Sequence, residues 1–171
     1  MITRDFAKAR RIVVKVGSST LTHESGLLNL RRVERLVTVL SDIKNSGKQL
    51  ILVSSGAMAV GVGKLSLSQK PQDMPGKQAV AAVGQCELMY TYDKLFGEYN
   101  HTTSQILLTR DVMDDMKRKN NVQNTLERLL EMGCIPIVNE NDPISTDQIQ
   151  EENFGDNATL SANVAELVKA D

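Results

Sequence analysis

A lysine stands near the end of a β-branched apolar run, Ile12-Val13-Val14-Lys15-Val16, and Gly17-Ser18-Ser19 follows at once. An ammonium at the mouth of such a strand can be aimed at phosphate oxygens, while the glycine lets backbone N–H groups come close. The same side chain can equally lie along the surface with its head in water. A second cluster, Ser54-Ser55-Gly56, closes another apolar run and precedes the small-residue stretch Ala57-Met58-Ala59-Val60-Gly61. Its hydroxyls and helix-start amides can hold a carboxylate or a phosphate, or the serine can simply cap the helix. Two further clusters, Asn139-Glu140-Asn141-Asp142-Pro143 and Gly155-Asp156-Asn157, carry the carboxylate and amide oxygens that suit an ammonium group. Asx-rich loops of this kind also form plain turns.

Groups so far apart in the chain can act together only on a scaffold that gathers them. Apolar β-branched runs alternate with helical periodicity along the sequence, which predicts an α/β fold with a mainly parallel sheet and helices on both faces. Strands are expected at Ile12–Val16, Gln49–Val53, Thr103–Leu108 and Ile135–Val138. Asn29 is placed to cap a helix whose apolar face runs through Leu30, Val33, Leu36, Val37, Leu40 and Ile43, with Gly47 as a left-handed stop. After a polar loop holding Pro71 and Pro75, a long alanine-rich helix is expected from Gly76 to about Gly97, with a composition suited to close packing. Val122, Leu126, Leu129 and Leu130 mark another helix ending at Gly133, and Leu160, Val164, Leu167 and Val168 mark the last. Ser145 to Glu152 reads as an exposed polar segment. Three of the polar clusters then fall at three strand ends, and in a parallel sheet those ends share one edge where a small ligand can bind.

Composition narrows the classes further. The 171 residues, 41% hydrophobic and 24% charged, describe one globular domain. With 20 basic and 21 acidic residues interspersed, the chain offers no basic stripe for nucleic acid and no polybasic membrane anchor. No apolar run approaches the length of a membrane span, and the charged start does not read as a secretion signal. Cys86 and Cys134 are far apart and lack metal-ligand spacing, so a reducing, cytoplasmic setting is expected and no metal-ligating residue is assigned. His23 and His101 are isolated and read as surface or loop residues, and the seven methionines as core filler. The P-loop, the complete dinucleotide fingerprint and the hydrolase nucleophile elbow are all missing from the sequence.

Taken as strings, Val14-Lys15-Val16-Gly17-Ser18-Ser19, Val53-Ser54-Ser55-Gly56-Ala57, Val138-Asn139-Glu140-Asn141-Asp142 and Phe154-Gly155-Asp156-Asn157 resemble the glutamate 5-kinase branch of the amino acid kinase family. Lys77-Gln78-Ala79-Val80-Ala81-Ala82-Val83-Gly84-Gln85 is similar to that branch as well, and order and spacing agree over essentially the whole chain. The resemblance implies a three-layer αβα sandwich in which residues 1–171 are the substrate-binding portion of an amino acid kinase domain. It implies that Lys15 contacts ATP phosphates as the catalytic lysine, with Gly17 and Ser18 lining the phosphate passage. Ser55, Gly56, Asp142, Asp156 and Asn157 would form the pocket for L-glutamate, whose side-chain carboxylate is phosphorylated at the start of proline synthesis. ATP with Mg²⁺ as cofactors, a homo-oligomer and feedback inhibition by proline are further expectations of the resemblance.

Two departures from the family pattern shape what is expected of this chain. It stops at Val168-Lys169-Ala170-Asp171, before the family's C-terminal nucleotide-binding half, so turnover is expected to need that half. Where the family usually reads Gly-Asp-Asn-Asp, this chain has Ala158 after Asn157 and lacks a carboxylate that helps organise lysines and magnesium. An alternative of another class follows from these departures: a non-catalytic homologue that binds glutamate, proline or a partner subunit.

Overall fold

The computed structural model describes residues 6–145 and 158–171. Four parallel strands, β1 (Arg11–Val16), β2 (Gln49–Ser54), β3 (Thr103–Leu108) and β4 (Ile135–Glu140), form one sheet in the order β1-β2-β4-β3. The α/β class and the four strands agree with the sequence reading. Six helices accompany them among the described residues: α1 (Ser18–Leu21), α2 (Leu30–Asn45), α3 (Ala57–Lys64), α4 (Met74–Gly97), α5 (Met116–Glu131) and α6 (Ala158–Leu167).

Strand alternation decides which helix packs where, because successive side chains leave opposite faces of a sheet. Leu50 and Leu52 of β2 and Ile135 and Ile137 of β4 point to one face, where Val33, Val37 and Leu40 of α2 and Leu88, Tyr92 and Phe96 of α4 bury them. Ile51, Val53 and Val138 point to the other, against Leu126 and Leu130 of α5 and Val164 and Leu167 of α6. Both faces being covered explains why these strands read as continuous apolar runs. Asn29 does cap α2, its side chain accepting from the Arg32 N–H, and Gly47 takes φ +86° after the helix.

Several boundaries differ from expectation for identifiable reasons. α4 begins at Met74, because Asp73 accepts a hydrogen bond from the Gly76 N–H and Pro75 is tolerated in a first helical turn, where its missing N–H has no partner to lose. Leu30 was expected on the buried face of α2 but is exposed, as the first residue of that helix. Ser18-Ser19 begin the short α1 and do not remain a turn, with Gly17 preceding them as N-cap. Asn139 and Glu140 were expected in a loop; they extend β4, paired with Leu107 and Leu108 of β3. Ser145 was read as exposed and is buried, its carbonyl accepting from Gln78 Nε2 of α4.

Candidate active site

The site lies where β2 and β4 part company. β2 is paired with β4 at Leu52↔Ile137 and Val53↔Val138, while the last two residues of β4 ladder only with β3 in the recorded register. Beyond that point the β2 chain turns through Ser55-Gly56 into α3, and the β4 chain turns through Asn141 into a 3-10 turn, Asp142–Ile144. A cavity of about 330 Å³ opens between them, at the carboxyl edge where ligands of open α/β sheets bind.

Gly56 makes that divergence possible. It takes φ +98°, a left-handed conformation open to glycine at little cost, and a Cβ there would meet Ser18 Cα at 3.4 Å. The turns after β1 and β2 therefore touch, and a hydrogen bond from the Ser55 N–H to the Val16 carbonyl at 3.1 Å ties them together. Ser18, Ser55, Gly56 and Asp142, drawn from three strand ends, all line the one cavity. Lys15 and Gly17 are not among the residues that line it; Lys15 is exposed on β1, its Nζ 3.8 Å from where a side chain on Gly17 would begin. Asp156 and Asn157 lie outside the described residues.

Asp142 is the chemically distinctive group. It is buried, and loss of solvent together with the nearby Glu140 carboxylate pushes its carboxyl up to about 7. A carboxylate so placed gains from an incoming cation that replaces the lost solvation. Glu140 and Glu24 also line the cavity, with Lys70 and His23 as the groups of opposite or titratable charge. His23 thus belongs to the cavity wall, although sequence spacing marked it only as a loop residue. Its neighbourhood is fixed by a bridge between Thr22 and Leu28, which folds residues 22–28 into a small hairpin over α3. His101, by contrast, packs edge-on against Phe96 with ring centroids 6.4 Å apart.

The long helix α4 contributes more than packing. Tyr92, fully buried, bonds through its hydroxyl to Ser54 Oγ at 3.0 Å, and burial raises its phenol well above the ordinary range. Seven residues earlier on the same face, Gln85 accepts from Asn139 Nδ2 at 2.8 Å. The polar ends of β2 and β4 are thus both held by one helix. The sequence signal was present as Gln85 and Tyr92 in an otherwise small and apolar stretch. Period alone could not mark them, because polar and apolar residues do not separate by face in α4, where Lys77, Gln85 and Thr91 are buried and Tyr90 is exposed.

Comparison with known proteins agrees with this geometry. The family model described as "Amino acid kinase family" matches residues 10–171. A glutamate 5-kinase of Clostridium perfringens (strain 13 / Type A) is 62% identical over 164 residues, covering 95% of this chain and 61% of that protein. A glutamate 5-kinase of Clostridium acetobutylicum is 54% identical over 173 residues, covering 100% and 64%. One from Listeria monocytogenes serovar 1/2a is 54% identical over 164 residues, covering 95% and 59%. The chain thus spans about three fifths of the length of these curated relatives. With a parallel αβα core, strand-end clusters gathered at one edge and a family match across nearly its whole length, the chain belongs to the amino acid kinase family.

Proposed function

We propose that the protein is the glutamate-binding part of a glutamate 5-kinase, which transfers the γ-phosphoryl group of ATP to the side-chain carboxylate of L-glutamate. The observation that carries this reading is the buried Asp142 carboxyl in a cavity shared with Ser18, Ser55 and Gly56. Such a site suits a small zwitterion better than a purely anionic ligand. The names of the relatives support glutamate as that zwitterion, and their 54–62% identity favours a kinase over a non-catalytic binder.

The reaction asks little covalent chemistry of the protein. The acceptor carboxylate is ionised at neutral pH, so in-line attack on phosphorus requires no general base, and positioning with charge neutralisation supplies the rate. Asp142 faces the substrate ammonium, while Ser55 and the backbone at Gly56 orient a carboxylate at the start of α3. Asp156 and Asn157 are proposed to complete that pocket. Lys15, at the β1 mouth beside Gly17 and Ser18, offsets the negative charge shared by the two anionic reactants as the new O–P bond forms. Lys15, Gly17 and Ser18 are the groups of this chain that would meet ATP phosphates. Mg²⁺ would lower the charge on those phosphates further. The product is γ-glutamyl phosphate, an acyl phosphate.

A cytoplasmic setting, a homo-oligomer and inhibition by proline belong to the same proposal. Among the described residues no helix is long and apolar enough to cross a membrane.

Hydroxylamine trapping of the acyl phosphate, with the full-length protein, ATP, Mg²⁺ and glutamate, is the direct test. Hydroxamate should form, and Lys15→Ala should cut its rate by roughly 10²-fold or more, the scale for losing one charge contact in a phosphoryl-transfer transition state. Glutamate binding with no hydroxamate under any condition would support the non-catalytic alternative and draw attention to Ala158, which is exposed at the start of α6.

A further inference from the structure

The end of β4 carries Asp142 into the cavity, and among the described residues it is β3 that ladders with that end. β3 pairs with Asn139 and Glu140, and the Asn141 N–H reaches the Leu108 carbonyl at 2.7 Å. On the β2 side the recorded pairing stops at Val138. What braces the strand end on its remaining face is a line of three side-chain amides.

Asn139 is buried and lines the cavity. Its Oδ1 accepts from the Glu140 backbone N–H at 2.8 Å, and its Nδ2 donates to Gln85 Oε1 at 2.8 Å. Gln85, buried on α4, turns its own Nε2 toward Gln105 Oε1 of β3, a longer contact at 3.5 Å. The direction of the relay is fixed from end to end. A backbone N–H can only donate, so Asn139 must offer oxygen to it and nitrogen to Gln85, which must then offer oxygen. An amide turned over at Asn139 would set its NH₂ against the Glu140 N–H and leave two donors facing each other.

We infer that Gln85 is a positioning residue for the ammonium-binding end of the site, acting through Asn139. This inference rests on the reading of the cavity as a glutamate pocket. By supplying the acceptor for Asn139 Nδ2, Gln85 holds the Asn139 amide in the one orientation that closes onto the Glu140 N–H. That closure sets the strand end from which Asp142 is presented two residues later. Gln85 does not line the 330 Å³ cavity itself; it shares a second cavity with Glu140 and Asp142 and so stands against the same strand end.

A double-mutant cycle on the full-length protein separates this role from general packing. Gln85→Leu keeps the bulk of the side chain and removes the acceptor. It should raise the glutamate Kd by about tenfold, the 1.4 kcal/mol scale of one buried hydrogen bond. In an Asn139→Ala background the same change should cost less than about twofold, because the group through which Gln85 acts is gone. Gln85→Glu keeps an acceptor for Asn139 Nδ2, and serves as well if the leucine variant does not fold. Its Kd should stay within a few fold of the unaltered protein at alkaline pH.

A readout independent of ligand is the hydrogen exchange of the Asn139 side-chain amide, slow in the unaltered protein and fast in Gln85→Leu. Equal losses for Gln85→Leu in both backgrounds, or unaltered Asn139 exchange, would overturn the inference. Absence of glutamate binding in the unaltered protein would instead refute the pocket assignment, leaving the relay to be judged on amide exchange alone.

Discussion

If Asp142 meets the substrate ammonium as a carboxylate, binding must depend on pH in a range where most acids no longer titrate. The carboxyl is pushed from 3.8 to about 7 by burial first and by the Glu140 charge second. A ligand that binds only the ionised form has an apparent Kd scaled by 1 + 10^(pKa − pH). With the carboxyl near 7 that factor is roughly 11 at pH 6 and roughly 1.1 at pH 8, so affinity should improve about tenfold across the interval. Near pH 7 each bound glutamate should expel about half a proton, measurable by calorimetry in buffers of different ionisation enthalpy. Glutamate brings no titration of its own here, because both its carboxylates are ionised and its ammonium protonated throughout. His23 lines the same cavity, and His23→Gln serves as a control for the profile. Asp142→Asn should flatten the profile and weaken binding at pH 8 by roughly 10–150-fold, the range for a charge-assisted hydrogen bond. The same linkage acts on stability. A carboxyl held high in the folded state stabilises below its unfolded value and loses that contribution as pH rises through about 7. The loss sets in above pH 4 and approaches about 4 kcal/mol, so Asp142→Asn should melt higher than the unaltered protein at pH 8. A flat binding profile in the unaltered protein, or a slope that persists in Asp142→Asn, would refute the assignment.

Two further perturbations probe the scaffold. At Gly84 a Cβ would stand 1.7 Å from the Ala57 carbonyl oxygen and 2.5 Å from the Gly61 nitrogen, so α3 and α4 can approach only because glycine occupies that position. Gly84→Ala should cost roughly 3 kcal/mol and lower Tm by about 6–12 °C in a calorimetric melt; an unchanged Tm would mean the two helices separate freely. Tyr92→Phe removes the hydroxyl bonded to Ser54 and should cost about 1 kcal/mol in urea unfolding. In the unaltered protein the raised Tyr92 phenol should ionise in alkali only as the chain unfolds, which ultraviolet absorbance can follow, and its titration while the fold is intact would contradict its burial.

The fold was legible in the sequence where one physical effect dominated. Strands covered on both faces need continuous apolar runs, and the run Gln49–Val53 falls within one residue of β2 as built. Periodicity likewise located α5 through Leu126 and Leu130. Legibility failed where tertiary pairing overrode local character. Asn139 and Glu140 have turn chemistry, yet β3 extends far enough to ladder with them, so they finish a strand. Ser18-Ser19 look like a turn because four residues of helix carry no periodic signal. At the site, the clusters at Ser18, Ser55-Gly56 and Asp142 were visible as polar groups after apolar runs, and the parallel sheet brought them together. His23 and Glu24 were not visible in that way. They reach the cavity through a hairpin whose closing bridge, Thr22 to Leu28, leaves no pattern in composition.

The alanine-rich helix shows how a packing element can set the chemistry of a site without touching its ligand. Small residues on one side of α4 let it lie against α3 at Gly61 and Gly84, and the adjoining side of its buried face comes within hydrogen-bond reach of the sheet. On that side Tyr92 meets Ser54 at the end of β2, and Gln85 meets Asn139 at the end of β4. These are the two strands whose divergence opens the cavity. Their relative position therefore depends on one rigid body spanning both, and a change in its approach should be felt at both ends together. Gly84→Ala should accordingly weaken glutamate binding along with stability, whereas Tyr92→Phe, which leaves the helix in place, should weaken stability with little effect on binding. If Gly84→Ala binds glutamate with unaltered affinity while melting lower, the strand ends are set by the sheet alone and α4 serves only as cover.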